Sequence, residues 1–173
     1  MLLDGTDMSV WRMVYAGRFQ IVDGALQAIP GNGLGLLWCT RPLPTDFSVR
    51  LQYRLTRLER GRVRLFPRPH RQGLREPAWV AAHFGFEAQI DDLDWPDGAD
   101  MHRTGTIYGA TDQTYTPVAA RPPGKWNDYE IRVRGQDYTV LLNGQQVTTF
   151  ANTNSSRRLP TTSASTNPGA IHW

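Results

Sequence analysis

Residues 126–150 read WNDYEIRVRGQDYTVLLNGQQVTTF, a stretch in which apolar and polar residues alternate between turn residues. A period of two predicts strands that each bury one face. Asn143 and Gly144 separate two such runs, and both central residues of a type I′ turn need a positive φ, which Asn and Gly tolerate. The stretch therefore predicts two hairpins in series, and sheets built from such meanders stack into sandwiches.

The same alternation occurs toward the N-terminus. Residues 19–22 and 25–29 flank an Asp-Gly pair, which predicts another hairpin, and residues 47–55 predict a half-buried antiparallel strand. The chain has 173 residues, with 16 Gly and 12 Pro. Its length and patterning predict one all-β domain, a sandwich of two antiparallel sheets. Trp38 and Trp126 are expected to be core or staple residues.

One further strand combines two chemistries. Residues 84–92 read FGFEAQIDD, so apolar side chains face one way and polar side chains, Glu87, Gln89 and Asp91, face the other. An acid, an amide and an acid in a row are typical of a sheet face that binds hydroxyl-rich ligands. The alternative is that Glu87 is a solvated residue of a half-exposed strand and that Asp91 and Asp92 cap a turn.

Charge is segregated along the chain. Residues 50–75 contain nine arginines and one acid, whereas residues 76–100 contain seven acids and no Lys or Arg. The acidic block would repel phosphates, so we expect no nucleic-acid binding. Neutralisation between the two segments across the fold is the simpler interpretation. No apolar run approaches the ~20 residues of a membrane span, so no membrane partner is expected.

Cofactor and covalent chemistry have little support. The four histidines, at 70, 83, 102 and 172, show no zinc-like spacing, and only a mixed cluster of Glu87, Asp91 and His102 could be imagined. Cys39 is the only cysteine, so no internal disulfide can form. No Gly-x-Ser-x-Gly motif is present. We expect no cofactor, and the ligand spacing does not support a divalent metal.

Several short blocks follow one another in a specific order. They are DGTDMSVW (4–11), VDGAL (22–26), GLGLLW (33–38), FEAQIDD (86–92), TGTIY (104–108), PPGKWNDYEI (122–131) and LNG (142–144). In this order they resemble the 3-keto-disaccharide hydrolase family. The resemblance implies a concanavalin A-like jelly-roll sandwich that acts on glycosides whose glucosyl C3 hydroxyl is already a ketone. It also implies a bacterial periplasmic or secreted protein, although residues 1–5 do not look like a signal peptide.

The chain departs from the family pattern in two places. Residues 59–66 read ERGRVRLF where the family has Asn-Ser-Gly before an apolar strand. Residues 169–173 read GAIHW where the family has a strand of the type Ile-Gly-Leu-Gln-x-His and then another strand. We therefore expect a single jelly-roll domain over residues 1–173 whose C-terminal strands are either missing or altered, and the altered end leaves an inactive domain as an alternative. An unpaired sheet edge would then allow copies of the chain to associate.

A 3-keto sugar determines which groups a site needs. The ketone acidifies the C2 proton, so a base can remove it, the C1 substituent can leave, and water can add back. Glu87 and Asp91 are the candidate carboxylates, about 13 Å apart along a strand that rises ~3.3 Å per residue. Direct hydrolysis needs carboxyl groups ~5–9.5 Å apart, so elimination suits this spacing better. His102 is the third candidate catalytic residue, as a proton donor.

A second set of residues is expected to bind the sugar. Its members are Gln89, Arg103, Tyr108 and Trp95, for which polar contacts, polarisation of the ketone and ring stacking are the expected roles. The alternative function is a non-catalytic carbohydrate-binding module, because a fold does not determine a function. Aromatic platforms along a concave face would favour binding, whereas Glu87 and Asp91 in a pocket would favour catalysis.

Overall fold

The computed structural model describes residues 8–33, 35–39, 44–55, 60–65, 85–91, 102–154 and 169–172. These residues form strands and no α-helix, so they include no helix of the length and apolarity that could cross a membrane. The strands are β1 Trp11–Tyr15, β2 Arg18–Val22, β3 Ala25–Ile29, β4 Gly35–Cys39, β5 Phe47–Tyr53, β6 Arg60–Leu65, β7 Phe86–Asp91, β8 Thr114–Tyr115, β9 Asn127–Arg134, β10 Asp137–Leu142, β11 Gln145–Ala151 and β12 Gly169–His172.

The strands build two sheets and a separate hairpin. The first sheet has the order β1-β4-β12-β6-β7, and the second sheet has the order β5-β9-β10-β11-β8. The predicted hairpin around Asp23 and Gly24 is β2 with β3. All of these pairings are antiparallel. The predicted all-β sandwich of two antiparallel sheets is therefore confirmed.

The core lies between the two sheets and takes side chains from alternate positions of both. The second sheet contributes buried residues such as Ile131 and Val140, and β7 contributes Phe86, Ala88 and Ile90. The ring of Phe86 lies 5.1 Å from the ring of Tyr138. A slip of β7 by one residue would turn its polar side chains into this core. Apolar burial therefore determines the face on which β7 carries its polar residues.

The turn between β10 and β11 has the backbone that the sequence predicts. Asn143 has φ 50° and Gly144 has φ 81°. Asn143 also uses its side chain, because its Oδ1 accepts a hydrogen bond of 3.0 Å from the backbone N–H of Asp128. The turn thus connects its own hairpin and also fixes the start of β9.

The last described residues lie inside the first sheet. β12 pairs with β4 on one side and with β6 on the other. This strand therefore occupies the middle of the sheet and is not an edge. The predicted self-association through an unpaired edge gains no support from β12 and stays a prediction.

The two tryptophans expected to be core or staple residues differ. Trp38 on β4 is buried, as predicted, but Trp126 is 39% exposed. The guanidinium of Arg54 lies 4.8 Å from the centre of the Trp126 ring. Trp126 immediately precedes β9, where buried Asn127 faces inward. The alternation therefore places Trp126 on the outer side, so it is not a core residue.

Candidate functional site

β7 carries the candidate carboxylates on the face opposite the core. Glu87 is 5% exposed, Gln89 1% and Asp91 2%. The predicted alternation is present, but the interpretation of Glu87 as a solvated residue of a half-exposed strand is wrong, because all six residues of β7 are buried. Burying a carboxylate is costly unless its surroundings are polar. The two carboxyl groups and the amide between them therefore form a buried polar layer.

Residues 102–108 run along the side of β7 that does not pair with β6. They bring the candidates His102, Arg103 and Tyr108 next to β7. The backbone N–H of Gln89 donates to the Thr106 carbonyl at 3.0 Å, and the N–H of Tyr108 donates to the Glu87 carbonyl at 2.8 Å. Gly105 donates to the Gln89 carbonyl at 2.9 Å. Gly105 has φ +93°, and a Cβ there would lie 2.6 Å from a methyl carbon of Val147. Only glycine fits this passage between β7 and β11 without displacing a neighbour.

On its other side β7 pairs with the arginine-rich strand β6. The register places Arg60 opposite Asp91, Arg62 opposite Gln89, and Arg64 opposite Glu87. Because the Gln89 N–H and C=O bond away from β6, Arg62 and Gln89 are a non-hydrogen-bonded pair, the type with Cα atoms ~4.5 Å apart. The register thus sets two arginine positions opposite carboxylate positions and one opposite an amide position.

Two residues that the sequence did not single out hold β7 in position. The Thr104 hydroxyl accepts a hydrogen bond of 2.9 Å from the Asp91 N–H. The Tyr129 hydroxyl donates to the Gln89 carbonyl at 2.9 Å. Burial, and then the charge of Tyr53, raise the pKa of Tyr129 well above its usual range, so this hydroxyl stays protonated. An inward-facing tyrosine in the β9 alternation was the available signal, since a buried phenol usually needs a partner.

The exposed rim beside β7 contains an aromatic pair. The rings of His102 and Tyr108 are 5.5 Å apart at an interplanar angle of 32°. Tyr108 is 43% exposed, whereas His102 and Arg103 are half-buried. The described candidate residues thus lie on two adjacent segments of the chain. β7 carries Glu87, Gln89 and Asp91, and the segment beside it carries His102, Arg103 and Tyr108. Trp95, the other predicted sugar-binding residue, lies outside the described residues.

Metal ligation has no cluster to support it within the described ranges. There, no group of three or more His, Cys, Asp and Glu side chains is arranged to share an ion. Cys39 is a buried free thiol on β4. The expected lack of a cofactor stays a prediction. The described residues thus combine the acceptor oxygens of the polar β7 side chains with the aromatic ring of Tyr108 and the guanidinium of Arg103.

Solved structures share this fold at low sequence identity. A proposed glycosyl hydrolase from Parabacteroides distasonis ATCC 8503 has a TM-score of 0.69 at 15% identity, over 99% of this chain and 88% of that chain. A Bacillus subtilis protein of unknown function with a galectin-like fold has a TM-score of 0.66 at 12% identity, over 99% and 84%. A carbohydrate-binding module from Bacillus subtilis has a TM-score of 0.56 at 11% identity, over 95% and 88%. The likeness shows that the sandwich is a galectin-like jelly roll.

A comparison with curated protein sequences found no match. The family model described as a 3-keto-alpha-glucoside-1,2-lyase-like domain matches residues 1–172. The match covers nearly the whole chain and includes both β7 and the segment beside it. The chain therefore belongs to the family of 3-keto-alpha-glucoside-1,2-lyase-like domains.

Proposed function

We propose that the protein is a carbohydrate-active enzyme that cleaves 3-keto-glycosides by base-assisted elimination. The family membership supports the substrate class. The observation that carries the proposal is the burial of Glu87 and Asp91 on one face of β7, where they are 5% and 2% exposed. Carboxylates are rarely kept in such a place for solubility, because desolvation disfavours their charge.

The reaction follows from the acidity that the ketone creates. A base takes the proton from C2, and the C–H electron pair forms an enolate whose negative charge rests on the C3 oxygen. The enolate then collapses, the C1–O bond breaks, and the leaving oxygen takes a proton. The product is an enone with a double bond between C1 and C2. Addition of water to that bond completes a net hydrolysis.

The residues divide these tasks according to their positions. Glu87 is the base, because it is a buried carboxylate on the strand that pairs with the segment carrying the exposed Tyr108. His102 gives the proton to the leaving oxygen, and Arg103 stabilises the negative charge on the C3 oxygen. Asp91 takes part in the later addition of water. Elimination separates the two steps in time, so the ~13 Å between Glu87 and Asp91 along the strand is no obstacle.

A carbohydrate-binding module without catalysis is the second candidate. The exposed ring of Tyr108 beside His102 favours it, since an aromatic rim of this kind can stack on a sugar. The fold is also that of a carbohydrate-binding module at a TM-score of 0.56. The two candidates differ in whether a bond breaks after the sugar binds.

Incubation with a 3-keto-glucoside and with its unoxidised parent tests the proposal. Aglycone is expected to be released from the 3-keto-glucoside alone, because only the ketone acidifies C2. In D₂O, elimination and addition of water should place deuterium at C2 of the product. Equal cleavage of the parent would contradict the ketone requirement. Binding of the oxidised sugar without release would support the binding module.

A further inference from the structure

The backbone of Gln89 is fixed by three hydrogen bonds. Its backbone N–H donates to Thr106, and its carbonyl accepts hydrogen bonds from Gly105 and from the Tyr129 hydroxyl, at 3.0, 2.9 and 2.9 Å. These bonds tie the residue to the neighbouring segment and to the second sheet. The side chain leaves β7 on the face of Glu87 and Asp91. A group that acts here would do so from a preorganised position.

The side-chain oxygen of Gln89 has an unused capacity to accept hydrogen bonds. The residue is 1% exposed, and among the described residues its Oε1 has no hydrogen-bond partner. A buried carbonyl oxygen without a donor costs free energy, and such groups are rare in native proteins. A core role would be served better by methionine or leucine. The amide oxygen is therefore available to a donor that arrives with a ligand.

We infer that Gln89 is a specificity residue whose side-chain amide oxygen accepts a hydrogen bond from a sugar hydroxyl. Gln89 lies two residues after Glu87 on β7, and the two side chains are on the same face. This inference rests on the proposed function for the identity of the sugar. An amide oxygen can only accept, and a ketone oxygen can only accept. The group that meets the Gln89 Oε1 is therefore a hydroxyl, because the C3 ketone could pair only with the amide N–H of this side chain.

The spacing along β7 limits which hydroxyl this is. Two residues of a strand span ~6.6 Å, so Gln89 lies well beyond the C2 carbon at which Glu87 acts. The hydroxyls on the far side of the ketone, at C4 and C6, are at the matching end of the ring. The site should reject a sugar that lacks this donor, because its acceptor would stay buried and unpaired.

A coupling experiment tests the inference on the full chain. The kcat/KM of wild type and Gln89→Met is measured with a 3-keto-glucoside and with its 4-deoxy and 6-deoxy analogues. Either the Gln89→Met substitution or the matching deoxy sugar should lower kcat/KM about tenfold, because each removes the same hydrogen bond. Combining the variant with that deoxy sugar should lower kcat/KM no further. Met keeps the length of the side chain and removes the orphaned oxygen, so the Tm of Gln89→Met should stay unchanged or rise. Gln146→Met, at an exposed position on β11, is the matched control.

The outcomes separate the inference from the proposed function. The role of Gln89 would be overturned if the fold-losses in kcat/KM from Gln89→Met and from each deoxy sugar multiplied when combined. A lower Tm of Gln89→Met with unchanged selectivity among the sugars would overturn it as well. If wild type releases no aglycone from any 3-keto-glucoside, the lyase proposal fails instead. The Kd values of the same enzyme and sugar combinations are then measured by calorimetry. Non-additive changes in binding free energy support the hydrogen bond of Gln89 to the sugar hydroxyl, and independent changes reject it. Lack of binding to every sugar in the set rejects both.

Discussion

Two glutamates show how differently one residue type behaves on the outer faces of the two sheets. Glu130 on β9 lies 3.1 Å from the Arg50 Nε and 2.8 Å from the Arg132 Nε. Its hydrogen bond with Arg132 holds its pKa below the usual range, as expected of a surface ion pair. Glu87 on β7 is 5% exposed. Position on an outer face is therefore not enough to make a carboxylate a solvated residue.

Replacing Glu87 tests its role as the base. Glu87→Gln keeps the shape of the side chain and removes the group that takes the C2 proton. Turnover of a 3-keto-glucoside should fall by ~10²-fold or more, the usual scale of general base assistance. Circular dichroism should show an unchanged fold. Asp137→Asn, an exposed carboxylate on β10, serves as the control. A wild-type rate in Glu87→Gln would remove this residue from the mechanism.

Thr104 should matter for stability because it receives the N–H of Asp91. Thr104→Val has nearly the same shape, but it leaves that buried donor without its 2.9 Å acceptor. The free energy of unfolding should fall by ~1–3 kcal/mol, the cost of an unsatisfied buried group. Denaturant titration measures the loss. Thr139→Val on β10, at a half-buried position, should change stability by less than ~0.5 kcal/mol. Equal effects of the two variants would contradict a role specific to Thr104.

The hairpin turn of β10 and β11 provides a test at the scale of an element. At Gly144 a Cβ would meet open space, so a larger residue adds no clash there. Its φ of 81° remains unfavourable for L-residues and most of all for β-branched ones. Gly144→Val should therefore lower the free energy of unfolding by ~1 kcal/mol or more through the backbone alone.

The control for this turn is Gly144→Asn, because Asn tolerates the left-handed region and should cost less. Thermal and denaturant unfolding of both variants, compared with wild type, measure the difference. If Val and Asn are equally tolerated, the positive φ at Gly144 is not what limits the turn.

The pairing of β6 with β7 brings part of the basic segment beside part of the acidic segment. Arginines at 60, 62 and 64 stand opposite Asp91, Gln89 and Glu87 in the register. Neutralisation between the two charged segments, as the charge blocks suggest, stays a prediction. The burial of the outer face of β7 was not predictable, because alternation shows which side chains share a face but not what covers that face. The role of Thr104 was equally invisible, since it depends on which segment runs beside β7.

At the scale of the whole molecule, the sandwich was predictable because each strand carries its own signal. The turn at Asn143 and Gly144 and the alternation in β5, β9 and β10 are local features, and all of them are present. Trp126 is not a core residue, because strand parity places it on the outer side. The position of β12 between β4 and β6 needs contacts far apart in the sequence, which a pattern of short period cannot reveal.

Two buried tyrosines should make the whole fold sensitive to alkali. Burial raises the pKa of Tyr138, and burial together with the charge of Tyr53 raises the pKa of Tyr129. The unfolded chain loses these protons near the ordinary value of 10.0, whereas the folded chain keeps them to higher pH. Their contribution to stability is therefore complete below about pH 10 and is lost as the pH rises above it.

Phenylalanine variants separate the two tyrosines. Among the described residues the Tyr138 hydroxyl has no hydrogen-bond partner, whereas the Tyr129 hydroxyl donates to the Gln89 carbonyl. At pH 7, Tyr138→Phe should be neutral or stabilising, and Tyr129→Phe should lose ~0.5–1.5 kcal/mol with its hydrogen bond. Above pH 10 each variant should lose less stability than wild type, because one buried phenol no longer resists ionisation. Unfolding free energies at pH 7 and at pH 10.5 measure both effects. A wild-type stability that stays constant over this interval would mean that these phenols ionise as readily in the fold as in the unfolded chain.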